Sequence, residues 1–191
     1  MREAAKTDFV LDVEELRRRA RRHIENGAVT DGYKGNRETV IKLLNEALAT
    51  EIVCVLRYKH DYYTAVGIHA DPVSAEFAEH AKEEQVHADL LAGRITQLGG
   101  DPDLNPEGLR SRSHSEYVVR SSLVEMIREN LIAERIAIDS YSQIIEYIGE
   151  TDPTTRRMLE EILAKEEEHA EDLADLMATL DPTEKMSPPS P

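Results

Sequence analysis

Two stretches of the chain carry a carboxylate and an imidazole at the same spacing. Glu84-x-x-His87 and Glu166-x-x-His169 each place the pair three residues apart, one turn along a single helix face. Glutamate oxygens and imidazole nitrogens suit divalent iron or manganese, and neither stretch offers the thiolate that a softer metal prefers. The segments around the motifs match too. EQVHADLL (84–91) aligns with EEEHAEDL (166–173), pairing Glu84 with Glu166, His87 with His169 and Leu91 with Leu173. Glu83 competes with Glu84 for His87, but its counterpart in the second copy is Lys165, so the repeat selects Glu84.

Two further glutamates repeat in the same way. EALATEIVCVLRY (46–58) aligns with ENLIAERIAIDSY (129–141), so that Glu51 matches Glu134 and Tyr58 matches Tyr141. Glu51 sits between Leu48 and Val55, and Glu134 between Leu131 and Ile138, which turns both toward an apolar interior. Four buried carboxylates are prohibitively costly without counter-charge. Two divalent ions would neutralise them, with Glu51, Glu84, His87, Glu134, Glu166 and His169 as the donor set.

The elements that must carry these residues read as four long helices. They run from Arg37 to Gly67, from Asp71-Pro72 to Gly99-Gly100, from about Ser115 to Gly149, and from Thr151-Asp152-Pro153 to Asp181-Pro182. The link between the first two helices and the link between the last two are short, whereas DPDLNPEGLRSRSH (101–114) separates the middle pair and contains two prolines. Short links demand antiparallel neighbours, and the long one can cross from end to end. The expected fold is all-α: an antiparallel four-helix bundle with one long crossover. Residues 1–36 form an extension in which DVEELRRRARRHIEN (12–26) is one short helix, capped by Asp12 and stopped by Gly27. The bundle occupies 37–180, and 181–191, rich in proline and serine, is expected to be a disordered tail.

On these residues the chain resembles the ferritin-like superfamily, and the bacterioferritins within it, over roughly residues 37–175. The resemblance implies an intrasubunit di-iron ferroxidase centre at which Fe(II) is oxidised by O₂ or H₂O₂ and the ferric product is stored in a hollow homo-oligomer. Glu51 and Glu134 would be terminal ligands, Glu84 and Glu166 bridges, and His87 and His169 the imidazoles. Tyr58 matches a tyrosine that lies beside the centre in bacterioferritins and can donate an electron, giving it a candidate catalytic role beside the simpler one of a core tyrosine.

The chain departs from the bacterioferritin pattern in three places. Gln85 stands where a methionine would ligate haem, so no haem is expected. Little chain remains after Leu180 for the short fifth helix of 24-subunit cages, which favours the dodecamer of Dps-like proteins. The first 35 residues have no bacterioferritin counterpart.

Composition narrows the other possibilities. With 23 Lys and Arg against 38 Asp and Glu among 191 residues, the net charge is −15, a surface that repels nucleic-acid phosphate and attracts cations. Arg17-Arg18-Arg19-Ala20-Arg21-Arg22 is a local exception, flanked by Glu14, Glu15 and Glu25, and reads as a solvated or docking face rather than a DNA arm. No apolar run approaches the ~20 residues of a membrane span, and the N-terminus lacks a signal-peptide pattern. A cytoplasmic location is expected. The single cysteine, Cys54, excludes an attached Cys₄ iron module, which counts against a rubrerythrin-type peroxidase. That enzyme, a manganese-catalase-like one and a DNA-protecting cage are the alternatives. His23, His60, His69, His80 and His114 have no repeating partner and read as surface or pore positions. Glu83, Glu167 and Glu168 read as solvated charges.

Overall fold

The computed structural model describes residues 10–180, and every regular element among them is helical. In chain order these are α1 (Val13–Arg19), α2 (Arg37–Thr64), α3 (Ala70–Gln97), α4 (Leu109–Arg112), α5 (Leu123–Ile148) and α6 (Pro153–Leu180). The four long helices have 28, 28, 26 and 28 residues. Helix α2 packs on α3, α5 on α6, and the two hairpins meet through α2 with α5 and α3 with α6. This is the four-helix bundle with a long α3–α5 crossover. None of these helices is long and apolar enough to cross a membrane.

Capping fixes where the helices begin. Asn36 accepts from Thr39 N at the start of α2, and Asp152 Oδ1 accepts from Thr155 N at the start of α6. Ser122 accepts from Glu125 N and its hydroxyl donates to the Glu125 carboxylate, so α5 starts at Leu123 rather than near Ser115. The intervening residues form no regular element, and Glu116 O accepts from the buried Arg57. Helix α3 ends on Gly99 (φ 77°), which lets Gly100 N reach back to Ile95 O. A side chain at Gly100 would press its Cβ to 2.7 Å from Ile41 Cγ2.

The crossover is tied down along α2. Asn45 Nδ2 donates to Asp101 O, Asp103 N donates to Asn45 Oδ1, and His114 N donates to Thr50 Oγ1. Beyond α2, the expected helix over 12–26 is shorter than the sequence suggests. It stops at Arg19, where Ala20 N donates to Leu16 O and Arg21 Nη1 donates to Arg17 O, satisfying carbonyls of the last turn. His23 (φ 49°) then breaks the path, and Ile24–Asn26 form a single 3₁₀ turn. Arg18 and Arg19 both pair with Glu15, and Arg22 lies 3.6 Å from Asp31, so much of the basic cluster is met within its own segment. Tyr33 anchors that segment, donating to Asp152 Oδ2 across 119 residues. The tail at 181–191 lies outside the described residues.

Two apolar clusters fill the bundle. One contains Leu44, Leu48, Leu91, Ile95, Ile148 and Leu159, and the other Cys54, Phe77, Met126, Ile127 and Leu173. The acidic residues considered next lie at intermediate depths on the helices that build both.

Candidate metal centre

Each long helix turns one or two polar side chains into the bundle axis: Glu51 from α2, Glu84 and His87 from α3, Glu134 from α5, Glu166 and His169 from α6. All six are 5% exposed or less. The i, i+3 spacing puts Glu84 over His87 and Glu166 over His169 on the inward faces. The donor atoms form two overlapping groups, each with all atoms within 4.8 Å of one another. The first comprises Glu51, Glu84, His87 and Glu166, and the second Glu84, Glu134, Glu166 and His169. Glu84 and Glu166 belong to both. Two adjacent cation positions sharing two carboxylates are what such an overlap describes.

The metal-free electrostatics are severe. Nδ1 of His87 lies 2.8 Å from Glu166 Oε1, 3.2 Å from Glu84 Oε2 and 3.4 Å from Glu51 Oε2. One N–H cannot serve three carboxylates. Burial works against the charged imidazole, but Glu166, Glu51 and Glu84 outweigh it and push its pKa up to about 12. Burial, then the charges of Glu51 and Glu134, raise the Glu84 carboxyl well above its ordinary range, and burial with Glu84 and Glu51 does the same to Glu166. Glu51 is also buried, yet hydrogen bonding with Glu84, His87 and Tyr141 brings it below the usual value. Protons are therefore being shared where positive charge is short.

Orphaned atoms test whether cations fit. Glu51 Oε2, Glu84 Oε1, Glu134 Oε2, Glu166 Oε1 and His169 Nδ1 are buried and make no hydrogen bond. Buried polar atoms are ordinarily satisfied, and here five of them converge on one volume. Hard oxygen donors with two imidazole nitrogens fit iron or manganese.

The carboxylate oxygens facing away from this volume are held by tyrosines. Tyr58 on α2 donates to Glu134 Oε1, and Tyr141 on α5 donates to Glu51 Oε1. The two pairs are related by the same repeat that relates the hairpins. Burial, followed by the neighbouring glutamates, raises both phenols well above their normal pKa, so they remain donors. His169 Nε2 lies 2.8 Å from Glu83 Oε2, which orients the ring from outside the cluster. Glu83 is thus half-buried and engaged rather than a free solvated charge. A pocket of about 280 Å³ lined by Glu83, Val86, His87, Leu90, Glu161, Ile162 and Lys165 opens beside His87.

The reading of His80 needs correction. His80 is no surface or pore residue: it is 1% exposed, its Nδ1 lies 3.1 Å from Tyr58 Oη, and its ring stacks on His169 with centroids 4.1 Å apart. The repeat hid it, because the corresponding position on α6 is Ile162. Tyr141 belongs beside Tyr58, and the Tyr58/Tyr141 match was the signal for it. Cys54 is fully buried in an apolar cluster, where burial pushes its thiol pKa up and leaves it unreactive. Gln85 lies on the outer face and donates to Asp89 Oδ1.

Comparisons with known proteins agree with this architecture. Residues 41–182 match the ferritin-like domain family. The chain is 32% identical to a bacterioferritin from Desulfovibrio desulfuricans over 141 residues, 71% of this chain and 74% of the relative. Among solved structures, the dodecameric thioferritin of Bacteroides fragilis, a bacterioferritin-related protein, superposes with a TM-score of 0.74 at 34% identity. That match covers 77% of this chain and 89% of the other. The di-iron bacterioferritin structure from Desulfovibrio desulfuricans gives a TM-score of 0.69 at 25% identity, over 79% and 87% of the two chains.

Proposed function

The chain belongs to the ferritin-like family, and on that premise we propose that it oxidises Fe(II) to Fe(III) at a di-iron ferroxidase centre and sequesters the product inside a hollow homo-oligomer. The observation that carries the reading is the pair of overlapping donor groups sharing Glu84 and Glu166, with five orphaned buried atoms turned toward them. In this reading Glu51 and Glu134 are the terminal carboxylates, Glu84 and Glu166 bridge, and His87 and His169 bind through Nδ1. Two Fe(II) substrates give up one electron each to O₂ or H₂O₂.

The chain's own residues prepare that step. Four carboxylates offset two divalent charges, so the ions enter a site whose electrostatics already favour them. Tyr58 and Tyr141 fix the terminal carboxylates, and Glu83 holds the His169 ring, which keeps the donors in place between turnovers. Tyr58 also stands beside the centre, where its phenol could supply one electron to the oxidant while its proton passes to Glu134. The pocket beside His87 gives small oxidants and Fe(II) a path from the outer surface. The acidic exterior raises the local concentration of cations.

Assembly follows the relatives: the Bacteroides fragilis thioferritin is a dodecamer, and the same state is assigned to this chain in the cytoplasm. The residue types admit manganese as well as iron, and iron is favoured by the di-iron site of the Desulfovibrio bacterioferritin. Aerobic loading with excess Fe(II), followed by gel filtration with iron analysis, tests the storage function. Retention of iron far beyond two per chain in a high-mass species is expected. Oxidation that halts at the centre and instead turns over added peroxide, with no retained iron, would replace storage by peroxide reduction.

A further inference from the structure

A third buried imidazole lies outside the six-residue set. His80 on α3 is 1% exposed, yet its Nε2 makes no hydrogen bond. The other ring nitrogen fixes its orientation. The Tyr58 hydroxyl donates its hydrogen bond to Glu134, so its oxygen is left to accept from His80 Nδ1 at 3.1 Å. Nδ1 therefore carries the proton, and Nε2 is the nitrogen free to act as a ligand.

Two carboxylates face that nitrogen. Glu76 Oε1, one turn back on α3, is 3.1 Å from it, and Asp172 Oδ2, on the neighbouring α6, is 3.8 Å away. One donor atom from each of Glu76, His80 and Asp172 falls within 4.8 Å of the others. Separations of this size are the edges of a coordination shell whose ligands sit about 2.0–2.2 Å from a common centre. Glu76 is half-buried and Asp172 faces solvent, so the three line the inner end of a surface opening. Beyond them lies a pocket of about 240 Å³ lined by Glu76, Asp172, Asp175, Leu176 and Thr179. Two carboxylates, one imidazole and open positions on the solvent side suit a hydrated divalent cation of the iron, cobalt or manganese kind.

The geometry points to a third divalent-cation site formed by Glu76, His80 and Asp172, linked to the di-metal centre through the His80 ring. That ring stacks on His169 and hydrogen-bonds Tyr58, which in turn holds Glu134. An ion at Glu76 and Asp172 thus sits one side chain away from the donors of the second position of the pair. The site shares no residue with the six proposed ligands, so it stands or falls separately.

The test uses the full chain in its native assembly, stripped of metal and then soaked with Co(II). Anomalous diffraction is expected to show a cobalt peak about 2.1 Å from His80 Nε2, in addition to any peaks among the six glutamate and histidine ligands. In equilibrium dialysis with Co(II), the Glu76→Gln, Asp172→Asn double variant is expected to lose one ion per chain. Both substitutions lie toward the surface and leave His80 and the core intact. Glu84→Ala is expected to remove ions from the centre while leaving this one in place. Identical Co(II) binding by the wild type and the double variant, or a peak-free Nε2 in a crystal with the central ions present, overturns the proposal and leaves a His80–Glu76 ion pair. A peak at His80 with none among the six ligands supports the third site and contradicts the di-metal reading.

Discussion

The phenol of Tyr58, on α2, donates a hydrogen bond to the carboxylate of Glu134, on α5. Tyr141 returns the same contact to Glu51 from the opposite hairpin. Each tyrosine holds a buried carboxylate that belongs to the other half of the repeat, so in the proposed centre neither half is complete alone.

Tyr58→Phe and Tyr141→Phe separate these roles. Both variants keep the metal stoichiometry, because no proposed ligand is lost, and both slow Fe(II) oxidation by about 10–100-fold, the usual range for a contact that orients a ligand. Tyr58→Phe has the larger effect, since it also releases His80. Stopped-flow ferric absorbance measures the rates. A tyrosyl radical signal trapped by freeze-quench electron paramagnetic resonance in the wild type, and absent in Tyr58→Phe, checks the electron-donor role.

The ligands differ in what their loss removes. Glu84→Ala and Glu166→Ala each take a donor from both groups, whereas Glu51→Ala takes one from a single group. The first two variants lose both central ions, and the third retains one. Affinity falls by more than about 100-fold at each emptied position, beyond what an outer contact costs. Anaerobic metal titration with per-chain analysis reads the difference.

Stability without metal should fall as pH rises. Burial and neighbouring glutamates hold the Glu84 and Glu166 carboxyls well above the ordinary glutamate value of 4.5. The native state then keeps protons that the unfolded chain has released, so stability declines as pH climbs above that value. His87 adds the same sign: raised from 6.5 to about 12, its contribution is complete below 6.5 and lost as pH approaches 12. A thermal melt of the metal-free protein is predicted to show a lower Tm at pH 8 than at pH 5, by about 3 °C per kcal/mol lost. Metal displaces these protons, so loading removes the trend and metal affinity rises over the same interval. A pH-independent melt of the metal-free protein would argue against the proton sharing.

Asp152 offers a purely structural counterpart. It caps α6 through Thr155 N and takes two hydrogen bonds from Arg94 and one from Tyr33. Asp152→Ala strips the cap and takes the carboxylate away from the half-buried Arg94, which keeps only its contacts to Thr155 and Gln97. The expected loss is about 3–5 kcal/mol, read as a lower denaturation midpoint in urea. Fe(II) oxidation by the surviving folded protein should be unchanged.

Much of the bundle could be read in the chain because one hairpin is written twice. Glu51/Glu134, Glu84/Glu166 and His87/His169 fall in register, and burial of like charges made a shared site the economical reading. What broke the repeat stayed hidden. His80 faces Ile162 in the alignment and Glu83 faces Lys165, so neither could be recognised by duplication, although one lies on Tyr58 and the other on His169. Ser115 read as a helix start because polar residues precede an apolar stripe there, while the Ser122–Glu125 capping box set the boundary. The Tyr33–Asp152 bond spans 119 residues, a separation at which local pattern carries no information.

The measurement closest to the central claim is the progress of ferric absorbance after anaerobic Fe(II) loading and addition of O₂ or H₂O₂, in the wild type and in Glu84→Ala. The account predicts a fast phase equivalent to two irons per chain in the wild type and no fast phase in the variant. Superimposable curves from the two proteins, both slow, would contradict the assignment of the centre.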